Sequence, residues 1–219
     1  MARELGEGVA SGRGDSALRR GADLLFGGMG LMIAAPLLAV IAVVVKLDSR
    51  GPAFFSQERV GKNGRHFRIL KFRTMVAGAD RLGPSVSGRR DPRITRVGRF
   101  LRASKLDELP QLVNVMRGEM TLIGPRAEVP GYLPHFTPEE RTLLAARPGL
   151  TGPGQVYFTT DQADELDAVE DPERHYIEHQ LHRKLALDLD YLRRRSLTGD
   201  LAVIGRTLAL LLGRGRGRS

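Results

Sequence analysis

The residues of this sequence that are best suited to chemistry form one short run, Ser104-Lys105-Leu106-Asp107-Glu108-Leu109-Pro110-Gln111-Leu112. Because Pro is tolerated only in the first turn of a helix, Pro110 predicts a helix start with Asp107 as its N-cap. Both carboxylates would then lie at the positive end of a helix dipole, where an Asp stays ionised at neutral pH. An ionised carboxylate among Arg residues that hold phosphate is a credible nucleophile, since carboxylates form acyl phosphates in enzymes.

The same run is also typical of an ordinary helix start. Ser104 with Asp107 three residues later resembles a capping box. Taken alone, the run favours this structural interpretation over the catalytic one.

Two basic elements and a single arginine could supply the phosphate contacts that a catalytic carboxylate needs. Lys71-Phe72-Arg73 ends a predicted strand, and Gly124-Pro125-Arg126 is a predicted turn that projects one guanidinium. A guanidinium meets phosphate through two parallel hydrogen bonds. Arg102 lies five residues before Asp107. Each of these arginines, taken singly, is typical of a solvated surface residue.

The basic charge of the chain lies in one region. The 219 residues carry 34 Lys and Arg against 25 Asp and Glu, but residues 51–106 alone hold 14 basic and three acidic residues. Such a region requires an anionic partner: a lipid headgroup, a nucleic acid or a phosphorylated substrate. Aromatic residues are only 5% and no nucleic-acid recognition motif is present, so we expect no nucleic-acid partner. A basic patch on anionic lipid is the simpler alternative.

Composition excludes several classes of protein and site. The chain has no Cys, which rules out a disulfide scaffold, a thiolate metal site and a cysteine nucleophile. With 42% apolar and 27% charged residues, the composition argues against wholesale disorder.

Residues 24–45 contain no charge, and 22 apolar and small residues can cross a bilayer core. A single transmembrane helix is the plain interpretation, and the run is too long for a cleaved signal peptide. Both flanks are basic, however, which suggests that both ends are cytosolic. Pro36 also divides the run into segments of about 18 and 14 Å, each of which reaches only the middle of the bilayer. A helix that breaks at Ala35-Pro36 and returns to the same face explains both features, and a kinked spanning helix stays open.

The remaining chain alternates short elements with loops. We predict a hairpin with Gly61-Lys62-Asn63-Gly64 between its strands, and loop over residues 78–93. Residues 201–212 form an apolar segment that is too short to span and suits an interfacial or core helix. The other predicted elements are strands at 53–57 and 66–72 and helices at 94–101, 109–116 and 171–197.

The sequence resembles a known family, the monotopic phosphoglycosyl transferases, also called bacterial sugar transferases or undecaprenyl-phosphate sugar phosphotransferases. The resemblance runs from Arg19 to about Leu212, and many ordered motifs make it specific. They are Lys46-Leu47-Asp48-Ser49 with Gly51-Pro52, Gln57 with Arg59-Val60-Gly61, Lys71-Phe72-Arg73-Thr74-Met75, Asp91-Pro92-Arg93-Ile94-Thr95-Arg96-Val97-Gly98-Arg99, Leu106-Asp107-Glu108-Leu109-Pro110-Gln111-Leu112 with Asn114-Val115, Gly118-Glu119-Met120, Gly124-Pro125-Arg126, and Arg147-Pro148-Gly149-Leu150-Thr151-Gly152.

The resemblance implies a reaction and its two substrates. Members transfer sugar 1-phosphate from a nucleotide diphosphate sugar, usually a UDP-sugar, to polyprenyl (undecaprenyl) phosphate, release UMP and form polyprenyl-diphosphate-sugar. The reaction is a first membrane step of bacterial glycan or exopolysaccharide synthesis, at the cytoplasmic face of the inner membrane. Membrane lipid is therefore a further expected partner. A homodimer is compatible with the sequence, but no residue specifies one, and none names the sugar, the polyprenol length or the pathway.

The resemblance also implies roles for individual residues. Asp107 would be the nucleophile of a ping-pong reaction, Glu108 its partner, and both would hold the Mg²⁺ cofactor. The expected substrate-binding residues are Arg126, Arg102, Arg73, Lys71 and Gln111. The family anchor is a re-entrant helix broken at a residue pair ending in Pro, which Ala35-Pro36 matches.

The implied fold class is α-rich α+β, with a re-entrant membrane helix, a small β-hairpin and a cytosolic helical catalytic domain that carries interfacial amphipathic helices. The expected organisation is a disordered tail at 1–16, the membrane helix at 17–48, the catalytic domain at 49–212 and a basic flexible tail at 213–219. Larger members carry an additional multi-span N-terminal domain, which we do not expect here.

Two departures from the family pattern affect specificity more than reaction type. Gly152-Pro153-Gly154-Gln155 stands where many members have Gly-Trp-Ala-Gln, and Ala127 follows Arg126 where Pro is frequent. The competing hypothesis without catalysis is a membrane-anchored scaffold that binds anions through residues 51–106.

Overall fold

The computed structural model describes residues 16–157 and 161–211, except for the side chains of residues 157, 161–163 and 211. The chain is helix-rich, with a small two-stranded hairpin and one long apolar helix near the N-terminus. The predicted α-rich α+β class is confirmed at this level. The tails predicted at 1–16 and 213–219 lie outside the described residues, apart from Ser16.

The helices of eight or more residues are α1 (Ala17–Asp48), α2 (Arg96–Ser104), α7 (His182–Arg193) and α8 (Leu197–Leu211). The shorter ones are α3 (Leu112–Arg117), α4 (Pro153–Tyr157), α5 (Asp161–Asp167) and α6 (Pro172–His175). A π-helical turn, Tyr176–Leu181, joins α6 to α7, and five 3-10 segments cover Lys62–Gly64, Ala79–Arg81, Leu106–Gln111, Pro130–His135 and Glu140–Ala145. The strands are β1 (Phe54–Val60), β2 (His66–Phe72), β3 (Thr121–Ile123) and β4 (Gly149–Thr151).

Helix α1 is long and apolar enough to cross a membrane, and no other helix in the described ranges is. The Ser16 hydroxyl accepts the Arg19 amide N–H at 3.3 Å and caps its first turn. The structure describes one continuous helix through Ala35 and Pro36. The re-entrant break at this pair therefore stays a prediction.

The two ends of α1 are bonded to the same folded body. At its start, the Arg20 guanidinium donates to the carbonyls of Val115 and Met116 at 2.7 and 2.8 Å, where α3 ends. The buried Asp23 carboxylate accepts the Thr121 hydroxyl at 2.8 Å and the Leu122 amide at 2.9 Å. Asp23 is thus bonded to the first two residues of β3.

At the other end of α1, Arg73 caps the last turn. Its guanidinium donates to the carbonyls of Arg50 at 2.8 Å and Ser49 at 2.7 Å, and to the Ser49 hydroxyl at 3.0 Å. Asp48 accepts the Val97 amide at 3.2 Å, in the first turn of α2. Both flanks of the apolar run are therefore bonded to the same folded body.

Between these two ends, one face of α1 packs on the protein and the other is exposed. Ile41 and Val45 pack with Phe72 and Leu101 in a small core. The exposed apolar residues of α1 include Leu25, Phe26, Met32, Ile33, Val40, Val43 and Leu47. An exposed apolar surface of this extent is typical of contact with a membrane.

Strands β1 and β2 form the predicted antiparallel hairpin, with Phe54 opposite Phe72 and Val60 opposite His66. The predicted bounds of β2 are confirmed. Asn63 and Gly64 in the turn adopt left-handed backbone angles, with φ of 57° and 74°. Asn and Gly are the residues that accept such angles at least cost, which explains the turn at this position.

The second strand pair was not predicted from the sequence. β3 and β4 are parallel and have three residues each. A three-residue strand is too short to show an alternating pattern, and both lie in motifs rich in Gly and Pro. The pair aligns the two segments that follow it, the turn 124–126 and residues 152–155 at the start of α4.

The largest core lies in the C-terminal half and includes Tyr132, Phe136, Leu143, Tyr176, Leu181, Leu185 and Leu189. The charged stretch predicted as one helix at 171–197 is instead α6, the π-helical turn and α7 in succession. The predicted helix at 109–116 is a 3-10 segment continued by α3, and the break at Gly118 is confirmed by its φ of 80°.

Candidate active site

Asp107 and Glu108 lie in the first turn of the 3-10 segment Leu106–Gln111, between α2 and α3. The prediction that Asp107 is an N-cap is wrong: Lys105 holds that position, with a left-handed backbone at φ 58°. This turn changes the direction of the chain between α2 and the 3-10 segment. Asp107 is directed inward as a result and is only 7% exposed.

Burial changes the acidity of Asp107 in the direction opposite to our expectation. Removal from water, together with the neighbouring Glu108 carboxylate, raises the pKa of Asp107 to about 6. The cations of Lys71, Lys105 and Arg102 oppose this shift. A helix dipole acts within one turn of a helix end and is too weak to offset burial of a carboxylate beside another carboxylate. Asp107 therefore becomes ionised close to neutral pH.

Lys71 is the direct partner of Glu108. It lies near the end of β2, opposite Phe55, and its Nζ is 3.0 Å from Oε1 of Glu108. Burial alone would raise the pKa of Glu108, but the ammonium of Lys71, with Lys105 and Arg126, lowers it below its ordinary value. The two adjacent carboxylates therefore differ: Lys71 holds Glu108 ionised, whereas the pKa of Asp107 is raised.

Asn114 fixes the distance between the 3-10 segment and β2. Its fully buried side chain accepts the Leu70 amide at 3.0 Å and donates to the Arg68 carbonyl at 2.8 Å. The side chain therefore takes the place of a neighbouring strand along β2. The motif that contains Asn114 did not predict this role. The one feature of the sequence that could have indicated it is an Asn at an apolar helical position.

Arg126 reaches the same site from the turn after β3. Its amide N–H donates to Oδ2 of Asp188 at 3.0 Å, and its Nε lies 3.7 Å from Oε1 of Glu128. Glu128 is buried and accepts the Tyr176 hydroxyl at 3.0 Å. Both the backbone and the guanidinium of Arg126 are thus held by buried groups.

An open cleft of about 220 Å³ brings four of the predicted site residues together: Lys71, Glu108, Gln111 and Arg126. Arg59 and Gln155 also line this cleft, and neither was predicted as a site residue. Both stand in segments compared with the family motifs, but nothing in their spacing distinguished them from other polar residues. Three cations, those of Lys71, Arg59 and Arg126, therefore line the cleft together with the carboxylate of Glu108.

Two of the predicted substrate-binding residues lie away from the cleft lining. Arg102 donates through Nε to the Thr74 hydroxyl at 2.9 Å and through Nη1 to the Ser87 hydroxyl at 2.7 Å. Arg73 is buried against the end of α1. Arg73 therefore holds the end of α1, a role that its residue type and its place in the sequence motif did not predict.

The carboxylate pair offers part of a magnesium site. Oδ1 of Asp107 is buried and has no hydrogen-bond partner among the described residues, as expected for an atom that a cation or substrate would contact. No group of three acidic or imidazole side chains that could hold a metal occurs in the described ranges. Mg²⁺ usually takes one or two carboxylates and completes its shell with phosphate oxygens and water. Asp107 and Glu108 fit that mode.

The site adjoins the membrane helix. Leu106, the residue before Asp107, packs against the core that contains Ile41 and Val45 of α1, together with Phe72 and Leu101. The candidate nucleophile is therefore directly adjacent in sequence to a residue of the core that α1 shares. A ligand held in lipid could bring a headgroup to this cleft.

Comparison with known proteins agrees with this geometry. Residues 14–214 match the family described as "Bacterial sugar transferase". The chain belongs to the bacterial sugar transferase family. This match covers nearly the whole chain, including the carboxylate pair, α1 and the Arg126 turn.

Individual members of the bacterial sugar transferase family are similar over most of this chain. A UDP-glucose:undecaprenyl-phosphate glucose-1-phosphate transferase of Caulobacter vibrioides is 39% identical over 89% of this chain and 69% of its own length. An Aeromonas hydrophila UDP-N-acetylgalactosamine-undecaprenyl-phosphate N-acetylgalactosaminephosphotransferase is 36% identical over 89% of this chain and 44% of its own. The exopolysaccharide production protein PSS of Rhizobium leguminosarum bv. phaseoli is 34% identical over 93% and 99%. The prediction of a sugar-phosphate transferase is confirmed at the level of the family.

Proposed function

We propose that this chain transfers a sugar 1-phosphate from a UDP-sugar to undecaprenyl phosphate or a related polyprenyl phosphate. The observation that carries the proposal is the carboxylate pair beside the membrane helix: Asp107 is buried, and Glu108 lines a cleft that also carries the cations of Lys71, Arg59 and Arg126. The cations suit the diphosphate of the donor, and the apolar helix suits the lipid of the acceptor. The names of the Caulobacter and Aeromonas relatives support both substrates.

The first half of the reaction forms a covalent intermediate on Asp107. An oxygen of the ionised Asp107 carboxylate attacks the phosphorus that carries the sugar. The bond from that phosphorus to the oxygen bridging the two phosphates breaks, and UMP leaves with the bridging oxygen. Asp107 then holds the sugar phosphate as an acyl phosphate.

In the second half, an oxygen of the lipid phosphate attacks the same phosphorus. The bond to the Asp107 oxygen breaks, which frees the carboxylate and gives polyprenyl-diphosphate-sugar. Lys71, Arg59 and Arg126 are placed to balance the charge of the phosphates in both halves. Since Lys71 holds Glu108 ionised, Glu108 is suited to support a cation rather than to donate a proton.

We further propose that Asp107 and Glu108 hold Mg²⁺ during turnover. When bound, the ion would neutralise charge on the diphosphate and favour departure of UMP. Removal of magnesium with a chelator is expected to abolish UMP release, with restoration on adding the ion back. Full activity in the presence of the chelator would contradict this cofactor.

We propose a location at the cytoplasmic face of the bacterial inner membrane, with α1 embedded from that face alone. The bonds that hold both ends of α1 to one domain support a monotopic arrangement. Leu197, Leu201, Ile204 and Leu208 form one exposed stripe on α8, which would lie on the membrane surface. The name of the Rhizobium relative supports a role in exopolysaccharide production.

The function is tested by measuring UMP release from a panel of UDP-sugars by the purified protein with polyprenyl phosphate and magnesium. We expect turnover of at least one sugar, and loss of turnover in Asp107→Asn. Asp190→Asn is a matched control, because Asp190 is exposed on α7 and pairs with Arg194 at 2.9 Å. Equal rates for Asp107→Asn and the wild type would refute the assignment of the nucleophile.

A further inference from the structure

Asp188 is a buried carboxylate that the proposed reaction does not use. It lies on α7 and is 1% exposed. Its Oδ2 accepts the amide N–H of Arg126 and its Oδ1 accepts the amide N–H of Gly154, each at 3.0 Å. One carboxylate thus joins the turn that follows β3 to the start of α4, which follows β4.

The backbone around Asp188 is built closely against this carboxylate. A Cβ on Gly154 would lie 3.1 Å from both carboxylate oxygens, and a Cβ on Gly152 would lie 2.1 Å from the Gly124 carbonyl. Any residue larger than Gly at 154 would push the start of α4 away from Asp188. The two glycines therefore allow α4 and the turn after β3 to approach each other and the carboxylate.

The chemistry of the contact requires a carboxylate. A carboxylate offers acceptor oxygens to both amides, whereas the amide side chain of Asn has one acceptor oxygen and one donor group. A buried carboxylate is unfavourable unless its oxygens are satisfied, and burial raises the pKa of Asp188 to about 6 despite the two amide bonds. A neutral residue would be the simpler choice if packing alone were needed.

The turn after β3 and the start of α4 each carry a side chain that lines the active-site cleft. Arg126 is itself bonded to Asp188 through its amide, and Gln155 directly follows Gly154.

Lys184, one turn before Asp188 on α7, lies 4.6 Å from the centre of the Tyr176 ring. Tyr176 in turn donates to Glu128, the partner of the Arg126 guanidinium. Helix α7 and the π-helical turn thus fix Arg126 at its backbone and at its side chain.

We propose that Asp188 is a positioning residue for the donor diphosphate: it fixes Arg126 where the guanidinium meets the diphosphate of a UDP group. The inference rests on the proposed function, because it assigns the cleft to the diphosphate of a UDP-sugar. Asp188 acts through Arg126 and does not touch the substrate.

The test is a double-mutant cycle on the binding of UDP, which requires no turnover. Calorimetry gives the dissociation constant for the wild type, Asp188→Asn, Arg126→Ala and the double variant, with Asp190→Asn as the control on the same helix. We expect Asp188→Asn to weaken binding on the order of tenfold to a hundredfold when Arg126 is present. In the Arg126→Ala background the same change is expected to cost less than about twofold, because the effect passes through Arg126.

A purely structural role predicts a different pattern. Asp188→Asn would then lower the melting temperature and weaken UDP binding by the same factor in both backgrounds, which would overturn the proposal. Asp188→Ala, which leaves space for water at the two amides, serves as a second variant. Failure of both variants to fold would also overturn it, since Asp188 would then be required by the fold itself. A wild type that binds UDP but releases no UMP from any sugar would refute the proposed function and leave this cycle measurable.

Discussion

The carboxylate pair is chemically asymmetric although its two residues are adjacent. Lys71 holds Glu108 ionised, whereas Asp107 is buried with Oδ1 unpartnered. In coupled pairs of acidic groups, environments that separate the two pKa values usually mark different roles. Glu108 is suited to a fixed negative charge and Asp107 to attack on phosphorus.

This asymmetry predicts the titration of the metal-free protein. Two carboxyl groups, those of Asp107 and Asp188, are expected to titrate with a pKa of about 6 in the wild type, as measured by infrared difference spectroscopy across pH 4.5 to 8. Only the Asp188 signal is expected to remain in Asp107→Asn, so the signal lost on this substitution is that of the Asp107 carboxyl group. The group is protonated below this pKa and ionised above it, so the nucleophile is available on the alkaline side. Lys71→Gln is expected to move the midpoint to higher pH, because Lys71 lowers the pKa of Asp107. An unchanged signal in Asp107→Asn would assign the titration to another group.

At the scale of elements, the end of β2 connects the membrane helix to the active site. Lys71 bonds to Glu108, Arg73 caps α1, and Thr74 accepts from Arg102. Successive residues of an extended chain point to opposite sides, so Lys71 and Arg73, two residues apart, would be expected to share one side. The strand ends at Phe72, which lets the two side chains diverge.

Arg73→Gln tests the position of this arginine. We expect the free energy of unfolding to fall by about 1–3 kcal/mol, because several carbonyls at the end of α1 lose a charged donor. UDP binding is expected to stay within about twofold of the wild type. Denaturation and calorimetry provide the two measurements, and Arg68→Gln on β2 is the exposed control. Lost UDP binding with unchanged stability would instead assign Arg73 to the substrate.

The sequence predicted elements that rest on local patterns and missed those that rest on distant contacts. The bounds of β2 and the turn at Asn63 followed from alternation and from the residues that accept left-handed angles. The roles of Arg73 and Arg126 could not be separated, because both are arginines in short motifs and only the fold decides what each contacts. Asp188 lay in a charged helical stretch, where nothing local marks a buried carboxylate.

For the whole molecule, α1 relates the catalytic domain to the membrane. A helix that crosses a bilayer places its two ends on opposite sides. Here Asp23 and Asp48, near the two ends of α1, are bonded to β3 and α2 of one domain. These contacts support the proposed arrangement, in which α1 is embedded in the membrane from one side.

Single cysteines can test this topology, because the chain has none of its own. Ala17→Cys and Arg50→Cys place a thiol at exposed positions on the two flanks of the apolar run, and Arg65→Cys marks the hairpin. An impermeant maleimide is expected to label all three in inside-out vesicles and none in intact spheroplasts. Labelling of Ala17→Cys and Arg50→Cys from opposite sides would establish a spanning helix.

In the proposed mechanism, Asp107 becomes covalently attached to the sugar phosphate. The direct measurement is acid-quenched incubation with UDP-sugar that carries ³²P in the phosphate next to the sugar, without acceptor. We predict label on the wild-type protein and on Asp190→Asn, none on Asp107→Asn, and release of the label into lipid when polyprenyl phosphate is added. Label retained on Asp107→Asn, or UMP release that requires acceptor and leaves no label on the protein, would contradict the mechanism.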